Sequence, residues 1–127
     1  MIYKGTYLRV IDNSGATLAK CIGILGSNSP KYAKVGSTII VTIKDYTRSN
    51  NSVRSKIEKG IISHALIVRT KKKNRSFDNI WTNFIDNGVV LLDNKKSLMF
   101  TRVRGPIHYA LRFKKFIKVL SLSKYNL

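Results

Sequence analysis

The stretch that decides the fold is Thr38–Lys44, which reads TIIVTIK. Six of its seven side chains are β-branched, and such side chains pack well on the pleated surface of a β-sheet. Successive side chains of a strand point to opposite faces, so Ile39, Val41 and Ile43 share one face. The stretch therefore predicts a strand whose apolar face points into a protein core.

Four other stretches predict short strands, and turn signals separate them. The strands are expected at Tyr7–Val10, Lys20–Leu25, Ile61–Arg69 and Val89–Leu92. Turns or polar loops are expected at Asp12–Gly15, Gly26–Pro30 and Thr47–Ser55. In the first strand, Leu8 and Val10 share a face. Five or six short strands at this spacing predict a mainly β fold, a small closed or half-closed barrel without room for a ligand cavity.

Two further local signals complete the predicted fold. Phe77–Ile80 predicts a tight hairpin, because its Asp-Asn pair can supply the positive φ of the turn. Gly105-Pro106 separates the strands from a helical ending. An apolar helical stripe is expected at Phe113, Phe116, Ile117 and Leu120. The chain is expected to form a single domain over residues 1–127, with the barrel over about 1–100 and a short helical part over about 106–122.

Charge is the strongest signal in the composition. The 127 residues include 24 Lys and Arg against six Asp and Glu, which gives a net charge of +18 and a pI near 10.4. A compact domain with this charge repels itself, and a polyanion is the commonest partner that offsets the repulsion. No Asp or Glu follows Asp93, whereas nine Lys and Arg do. We therefore expect the C-terminal third to be stable only beside phosphates or in salt.

The strongest local feature is the basic segment Arg69–Arg75, which reads RTKKKNR. It leaves the end of a predicted strand, so a rigid element would position it. Arginine can hold a phosphate through two hydrogen bonds and lysine acts as a point charge, which predicts a phosphate-binding arm. A solvated loop is the alternative. The turn at Asn13–Ala16 could also offer backbone N–H groups to a phosphate, although an ordinary turn is the simpler interpretation.

Aromatic side chains are the second feature that could recognise RNA, since they can stack on splayed bases. Most of the six tyrosines are expected to pack in the core or at its rim. Trp81, on the predicted hairpin and close to the basic segment, is the candidate for stacking.

Catalytic, metal and cofactor chemistry find no support in the sequence. The single Cys21 excludes an internal disulfide and a cysteine-based zinc site, and we expect it to be a small core residue. His64 and His108 lack neighbouring ligand residues, and no carboxylate pair, phosphate loop or dinucleotide fingerprint is present. No enzyme activity, cofactor or metal is therefore expected. No apolar stretch approaches the roughly 20 residues that cross a bilayer, so no membrane span is expected.

An ordered set of motifs resembles a known family. The motifs are Asp12–Ala16, Lys31–Ala33 with Val35-Gly36, Thr42–Lys44, Arg69–Lys72, Val90–Leu92, Thr101–Val103 with Gly105-Pro106, and Lys115–Leu122. Together they resemble the bacterial-type L-fourteen protein of the large ribosomal subunit, from about Tyr7 to Leu122. No single motif is decisive, but the ordered set is highly specific.

The resemblance implies a five-stranded barrel with a projecting hairpin and a short helical C-terminal part. It implies a structural protein that binds large-subunit rRNA, touches neighbouring ribosomal proteins and small-subunit rRNA across an intersubunit bridge, and offers a docking surface to a ribosome silencing factor. The matching intersubunit and factor-docking positions are Thr101, Arg102, Lys118 and Ser121. The expected rRNA-binding residues are Asn13, Ser14, Lys44, Arg69, Lys71, Lys72, Lys73, Arg75, Arg104, Arg112, Lys114 and Lys115.

The chain also departs from the family pattern. The usual Asp-Gly hairpin turn is Asp78-Asn79 here, and Asp45–Gly60 is longer than in typical bacterial members. The composition leans toward residues with AT-rich codons, and no targeting presequence is recognised. These features favour a mitochondrially encoded member located in the mitochondrial ribosome, with bacterial cytoplasm or plastid as the alternative.

Two other functions remain open from the sequence. A free-standing translation factor or RNA chaperone could use an oligonucleotide-binding-like barrel, and its aromatic residues would then concentrate on one exposed sheet face. An enzyme acting on RNA would need a poised acid–base or metal cluster, which the sequence does not offer. Sedimentation with large subunits, rather than as free protein, would separate the first hypothesis from both.

Overall fold

The computed structural model describes residues 1–26, 31–47, 57–76 and 78–127 of the chain. Its strands are β1 (Tyr7–Val10), β2 (Ala16–Ile24), β3 (Thr38–Tyr46), β4 (Ile62–Arg69), β5 (Asn74–Arg75), β6 (Trp81–Thr82) and β7 (Gly88–Leu92). A 3₁₀ turn spans Tyr109–Leu111, and helix α1 spans Ile117–Leu122. Within these described residues, no helix has the length and apolar character of a membrane span.

Five of these strands close into a barrel in the order β1-β2-β3-β4-β7. Neighbouring strands run antiparallel, except that β1 and β7 meet in parallel and complete the closure. Strands β5 and β6 form a separate antiparallel pair between β4 and β7. The prediction of a small, mainly β, five-stranded barrel with an additional hairpin is confirmed.

The alternation of β3 sets the barrel interior. Ile39, Val41 and Ile43 are completely buried, as the sequence pattern predicted, and Leu8 and Val10 of β1 face the same core. Burying one such side chain stabilises a fold by about 1.5–3 kcal/mol. The alternating inward side chains of β1 and β3 therefore contribute to the barrel core.

Strand β7 is buried on both faces, in contrast to the alternating β3. All five residues of Gly88–Leu92 are buried. The His108 N–H donates to the Val68 carbonyl oxygen at 3.0 Å, which ties the C-terminal segment to the end of β4. Ile107 and Leu111 are fully buried in the same core. Continuous apolar runs in strands are typical of such double coverage.

The predicted helical stripe at the C-terminus is wrong. The chain makes a 3₁₀ turn, passes through Lys115 with a φ of 64°, and only then enters α1. A left-handed residue interrupts the 3.6-residue period, so the predicted stripe does not lie on one helical face. Phe113 and Ile117 are 59% and 63% exposed, whereas Leu120 is buried.

The predicted hairpin is confirmed by the pairing of its strands. Asn74 lies opposite Thr82, Arg75 lies opposite Trp81, and Asn79 supplies a φ of 62° in the turn. Phe77 lies outside the described residues, as do residues 27–30 of the predicted loop Gly26–Pro30 and residues 48–55 of the loop Thr47–Ser55.

Candidate nucleic-acid interface

A groove of about 860 Å³ opens beside the turn that joins β1 to β2. Arg9, Arg69 and Arg104 are among the residues that line it. The backbone N–H of Arg104 donates to the Ile11 carbonyl oxygen at 2.7 Å, which fixes the position of this residue at the groove. The groove therefore combines a firm backbone frame with cationic side chains, as a phosphate-binding surface requires.

In the turn at Asp12–Ala16, side chains of the turn itself accept hydrogen bonds from its backbone N–H groups. The Ser14 N–H donates to Asp12 Oδ1 at 2.9 Å, and the Ala16 N–H donates to Ser14 Oγ at 3.2 Å. Asp12 Oδ2 also accepts the Leu91 N–H at 2.8 Å, which ties the turn to β7. Burial raises the pKa of the Asp12 carboxyl, and these hydrogen bonds oppose the rise. The geometry favours an ordinary structural turn, with Ser14 buried; rRNA contact by Ser14 stays a prediction.

Asn13 sits at the exposed tip of the same turn. Its Oδ1 accepts the Arg102 backbone N–H at 3.3 Å. The Asp12–Val103 bridge lies next to this contact. The predicted rRNA-binding residue Asn13 and the predicted factor-docking residue Arg102 are thus adjacent in space.

Arg69, the first residue of the basic segment, is directed inward. Its Nε lies 2.7 Å from Asp86 Oδ1 in an ion pair, and its Nη2 donates to Asp86 Oδ2 at 3.0 Å. Its Nη1 donates to the Pro106 carbonyl oxygen at 3.2 Å. The whole residue is only 8% exposed. This arrangement favours a structural role that joins β4 to the C-terminal segment, and contact of Arg69 with RNA stays a prediction.

Two glycines make room for the Arg69 side chain. A Cβ built at Gly88 would lie 2.8 Å from Arg69 Cγ and Nε. A Cβ built at Gly105, whose φ of +78° already disfavours other residues, would lie 2.7 Å from Arg69 Nη1. Arg69 therefore occupies a slot that larger residues at either position would obstruct.

Asp86 also forms an ion pair with a second arginine, Arg9. Arg9 Nη1 lies 3.6 Å from Asp86 Oδ2, with the Arg9 side chain mostly in solvent. The Arg9 backbone N–H donates to the Asn87 carbonyl oxygen at 2.9 Å. One carboxylate thus lies between a buried arginine and an exposed one at the edge of the groove. A mostly exposed ion pair contributes little to stability, so the Arg9–Asp86 pair adds little to the fold.

The other basic side chains of this segment are exposed, and local hydrogen bonds order its backbone. The Lys71 N–H donates to Asn87 Oδ1 at 2.8 Å, and Thr70 Oγ1 donates to the Lys72 carbonyl oxygen at 3.2 Å. Arg75 Nε donates to Asn79 Oδ1 at 2.6 Å across the hairpin turn. Lys71, Lys72 and Lys73 are all exposed. Backbone held in this way presents the lysines from a defined surface rather than from a loose loop.

The other predicted basic residues are exposed but divided between surfaces. Arg104 lies at the groove, whereas the Lys114 side chain packs against Gly36 and lines a second, smaller cleft. Lys44, Arg112 and Lys115 are exposed. Arg104 and Lys114, both from the basic C-terminal third of the sequence, therefore lie at different surfaces.

The predicted factor-docking residues are all exposed. Thr101 and Arg102 lie beside the Asp12 turn, and Lys118 and Ser121 lie on α1, where Ser121 Oγ donates to the Lys118 carbonyl oxygen at 2.8 Å. Among the described residues, no hydrogen bond or ion pair joins the two pairs.

His108 has a structural environment. Its Nδ1 accepts the Ala110 N–H at 3.0 Å, which assigns the ring proton to Nε2, facing Thr82 Oγ1 at 2.7 Å. Burial lowers the pKa of this imidazole, because the charged form would lose hydration. His108 thereby joins the hairpin to the C-terminal segment in its neutral form. Cys21 is a buried free cysteine, as expected, and the described part of the chain contains no group of three or more potential metal ligands.

Sequence reasoning missed several residues at these surfaces. The exposed position of Arg9 could have been predicted, since Leu8 and Val10 point inward and the residue between them must point outward. The pairing of Asp86 with Arg69 could not have been predicted, because the two residues are 17 positions apart in the sequence and a loop lies between them. Tyr3 and Tyr32 were named only together with the other tyrosines, as possible stacking platforms of which most were expected to pack in the core or at its rim; they form an exposed ring pair.

Comparison with known families agrees with this architecture. The family model described as ribosomal protein L14p/L23e matches residues 1–127. The chain belongs to the ribosomal protein L14p/L23e family, whose members are structural proteins of the large ribosomal subunit.

Proposed function

We propose that the chain binds large-subunit rRNA by placing fixed cationic side chains against phosphates, without turnover. The observation that carries the proposal is the unpaired charge. All six carboxylate side chains lie within the described residues, and Arg9 and Arg69 are the only described basic residues within 4.0 Å of one of them. Phosphates would neutralise the remaining cations and release their condensed counterions.

Charge reversal at the basic segment tests this proposal. Lys71→Glu with Lys73→Glu replaces two attractions by two repulsions at the phosphate backbone, while exposed charges contribute little to folding. The variant should stay folded by circular dichroism but accumulate outside large subunits in a sucrose gradient. The matched control, Lys59→Glu with Lys95→Glu, makes the same change in net charge at exposed positions outside the predicted site. Equal incorporation of both variants would contradict a specific role of the segment.

We also infer a protein-docking role for Thr101, Arg102, Lys118 and Ser121. Ile117 and Leu122 are exposed apolar side chains on the helix that carries Lys118 and Ser121. A surface that combines apolar and polar groups suits a protein partner such as a ribosome silencing factor. Lys118→Glu should weaken capture of purified silencing factor. The control Lys124→Glu changes the net charge by the same amount at a position outside the proposed surface, and it should leave capture unchanged. Undiminished capture by the Lys118 variant would refute the docking site.

Contacts with neighbouring ribosomal proteins and with small-subunit rRNA across a bridge complete the proposal. Ile80, Trp81 and Ile85, on and beside the hairpin, are large apolar side chains with more than half of their surface exposed. Burial of such side chains in an assembly would remove them from water. Chemical cross-linking of intact ribosomes should join this region to another protein, and subunit reassociation should slow when Arg102 is changed to Glu.

The location within the mitochondrial ribosome is also proposed here, on the composition of the chain. Fractionation of the source cells should recover the protein with mitochondrial ribosomes. Recovery with bacterial or plastid ribosomes would contradict the location but leave the ribosomal role intact. A free-standing RNA chaperone would instead sediment apart from subunits in any compartment.

A further inference from the structure

An exposed pair of tyrosines lies beside a short bridge that closes one end of the molecule. Ile2 and Ala33 exchange backbone hydrogen bonds of 2.8 and 2.7 Å, and both side chains are buried. Adjacent residues of a bridge point to the opposite face, so Tyr3 and Tyr32 face outward together. Their ring centroids are 6.1 Å apart at an interplanar angle of 52°, and the residues are 51% and 37% exposed.

Four lysines surround this tyrosine pair. An open cleft of about 410 Å³ is lined by Lys31, Tyr32, Lys34, Ser37 and Lys114. Lys34 Nζ lies 5.7 Å from the centre of the Tyr32 ring. Lys72 extends from the basic segment to the same end of the molecule, where its Nζ lies 3.1 Å from Met1 Sδ. Among the residues that the structure describes, no carboxylate side chain lies within 4.0 Å of these amines.

Gly36 holds one of these lysines in place. Its φ of +78° turns the chain tightly, and a Cβ at this position would collide with Cδ of Lys114. The aliphatic stem of Lys114 thus packs over Gly36 while its amine reaches the cleft. The cleft is therefore lined by two distant parts of the sequence, residues 31–37 and Lys114, rather than by one loop.

The combination of lysine amines and exposed tyrosine rings at the cleft indicates which kind of partner would bind there. Like charges that lie together repel one another, and large exposed rings leave apolar surface in water. A duplex would offer phosphates to the lysines, but its bases are stacked inside and cannot reach the rings. A splayed nucleotide offers both a phosphate and a flat base.

We propose that the Tyr3–Tyr32 pair, together with the adjoining cleft that Tyr32 lines, binds an unpaired RNA nucleotide, whose base stacks on the tyrosine pair and whose flanking phosphates meet Lys31, Lys34 and Lys114. This site rests on the proposed rRNA-binding function and adds recognition of single-stranded RNA to it.

Fluorescence anisotropy with the full chain tests the site. The probes are a labelled RNA pentamer, the same pentamer with a central abasic nucleotide, and a blunt RNA duplex. They are measured at about 0.3 M salt, where the weak phosphate contacts elsewhere on the protein are screened. Tyr3→Leu with Tyr32→Leu should lower pentamer affinity about tenfold, because each stacked base contributes substantially to binding. The same variant should change affinity for the abasic and duplex probes less than twofold.

Two control variants separate stacking from charge and from general aromatic content. Tyr3→Phe with Tyr32→Phe keeps the ring faces and should bind like the parent, whereas Tyr125→Leu removes an exposed ring elsewhere and should have no effect. Lys31→Gln with Lys34→Gln should weaken binding of every probe that reaches the cleft. Circular dichroism confirms that each variant is folded, and the single Tyr32→Leu variant replaces the double one if that one unfolds.

The outcomes also separate this site from the function on which it rests. If the Leu variant still binds the pentamer like the parent, or loses affinity for the abasic pentamer equally, the stacking site is refuted while rRNA binding stands. If an acidic peptide displaces the abasic pentamer and the intact pentamer equally well, the cleft is a site for acidic protein segments and the proposal fails. If the parent binds neither the pentamer nor large-subunit rRNA, the proposed function fails as well.

Discussion

Replacement of Asp86 by Asn tests the structural role assigned to Arg69. The substitution keeps the size of the side chain but removes the negative charge that faces the Arg69 guanidinium at 2.7 and 3.0 Å. Arg69 would still lie against Gly88 and Gly105, where the absence of a Cβ leaves room for its side chain. The variant therefore leaves a buried cation without its counterion.

The expected cost follows from the burial of the two partners. Removing one partner of a buried ion pair destabilises a protein by about 3–5 kcal/mol. The Arg69 side chain is 9% exposed, but that of Asp86 is 28% exposed, so water and the remaining amide oxygen offset part of the loss. We expect the free energy of unfolding to fall by about 2–3 kcal/mol. That change is a large part of a typical domain stability of about 5–15 kcal/mol.

Urea unfolding followed by circular dichroism measures this change, and a double-mutant cycle assigns it to the pair. Arg69→Met removes the buried cation, so adding Asp86→Asn to this variant should cost at least about 1 kcal/mol less than adding it to the parent. A loss below about 0.5 kcal/mol for Asp86→Asn alone, or full additivity in the cycle, would refute the reasoning. Arg69→Met should also lower RNA affinity less than Lys71→Glu, since the Arg69 charge is already neutralised.

Three further predictions concern the core, the imidazole and the phosphate contacts. Val41→Asp should abolish folding in a thermal melt, because it buries an unpaired charge in the barrel, whereas Lys44→Asp on the exposed surface should melt cooperatively. Burial holds the pKa of His108 below its ordinary value of 6.5, so its contribution to stability is present above that pH and is lost as the pH falls below it. The urea midpoint of the parent should therefore decline more between pH 7.5 and 5.5 than that of His108→Gln. Equal declines would contradict a buried neutral imidazole. Affinity for large-subunit rRNA in filter binding should fall on the order of a thousandfold between about 50 and 200 mM salt if six or more phosphates are contacted, and a flat response would contradict the phosphate argument.

The sequence predicted the barrel well because its strands carry local information. The β-branched run of β3 specifies both extended backbone and the inward face, and the observed burial of Ile39, Val41 and Ile43 agrees. The hairpin was predictable for a similar reason, since Asn79 tolerates the positive φ that the turn needs. Charge composition predicted the class of partner, because a net charge of +18 is a property of the whole chain.

The failures arose where distant residues meet. The helical spacing of Phe113 and Ile117 assumed one continuous helix, but Lys115 adopts a left-handed conformation and the helix begins two residues later. Arg69 looked like the start of an exposed arm, since Asp86 and Pro106 approach it only after the barrel closes. Local patterns carry no information about such contacts, which depend on the tertiary fold.

The tyrosine pair shows the same limit at the candidate site. Tyr3 and Tyr32 are separated by β1 and β2 in the sequence, and only the Ile2–Ala33 bridge brings them together. The lysines Lys71–Lys73 of the basic segment, in contrast, were recognisable from the sequence because they are consecutive. A group of consecutive residues can be recognised in the sequence, whereas a group that a β-bridge brings together can be recognised only in the structure.

Sedimentation of the native protein tests the central claim most directly. An antibody against the chain, applied across a sucrose gradient of a native lysate, should detect it with large subunits and intact ribosomes, in equimolar amount to large-subunit rRNA. Ribonuclease treatment that dismantles the subunits should shift the signal to lighter fractions together with other ribosomal proteins. Recovery of the protein mainly in light fractions of the untreated lysate, apart from large-subunit rRNA, would contradict its role as a structural component of the ribosome.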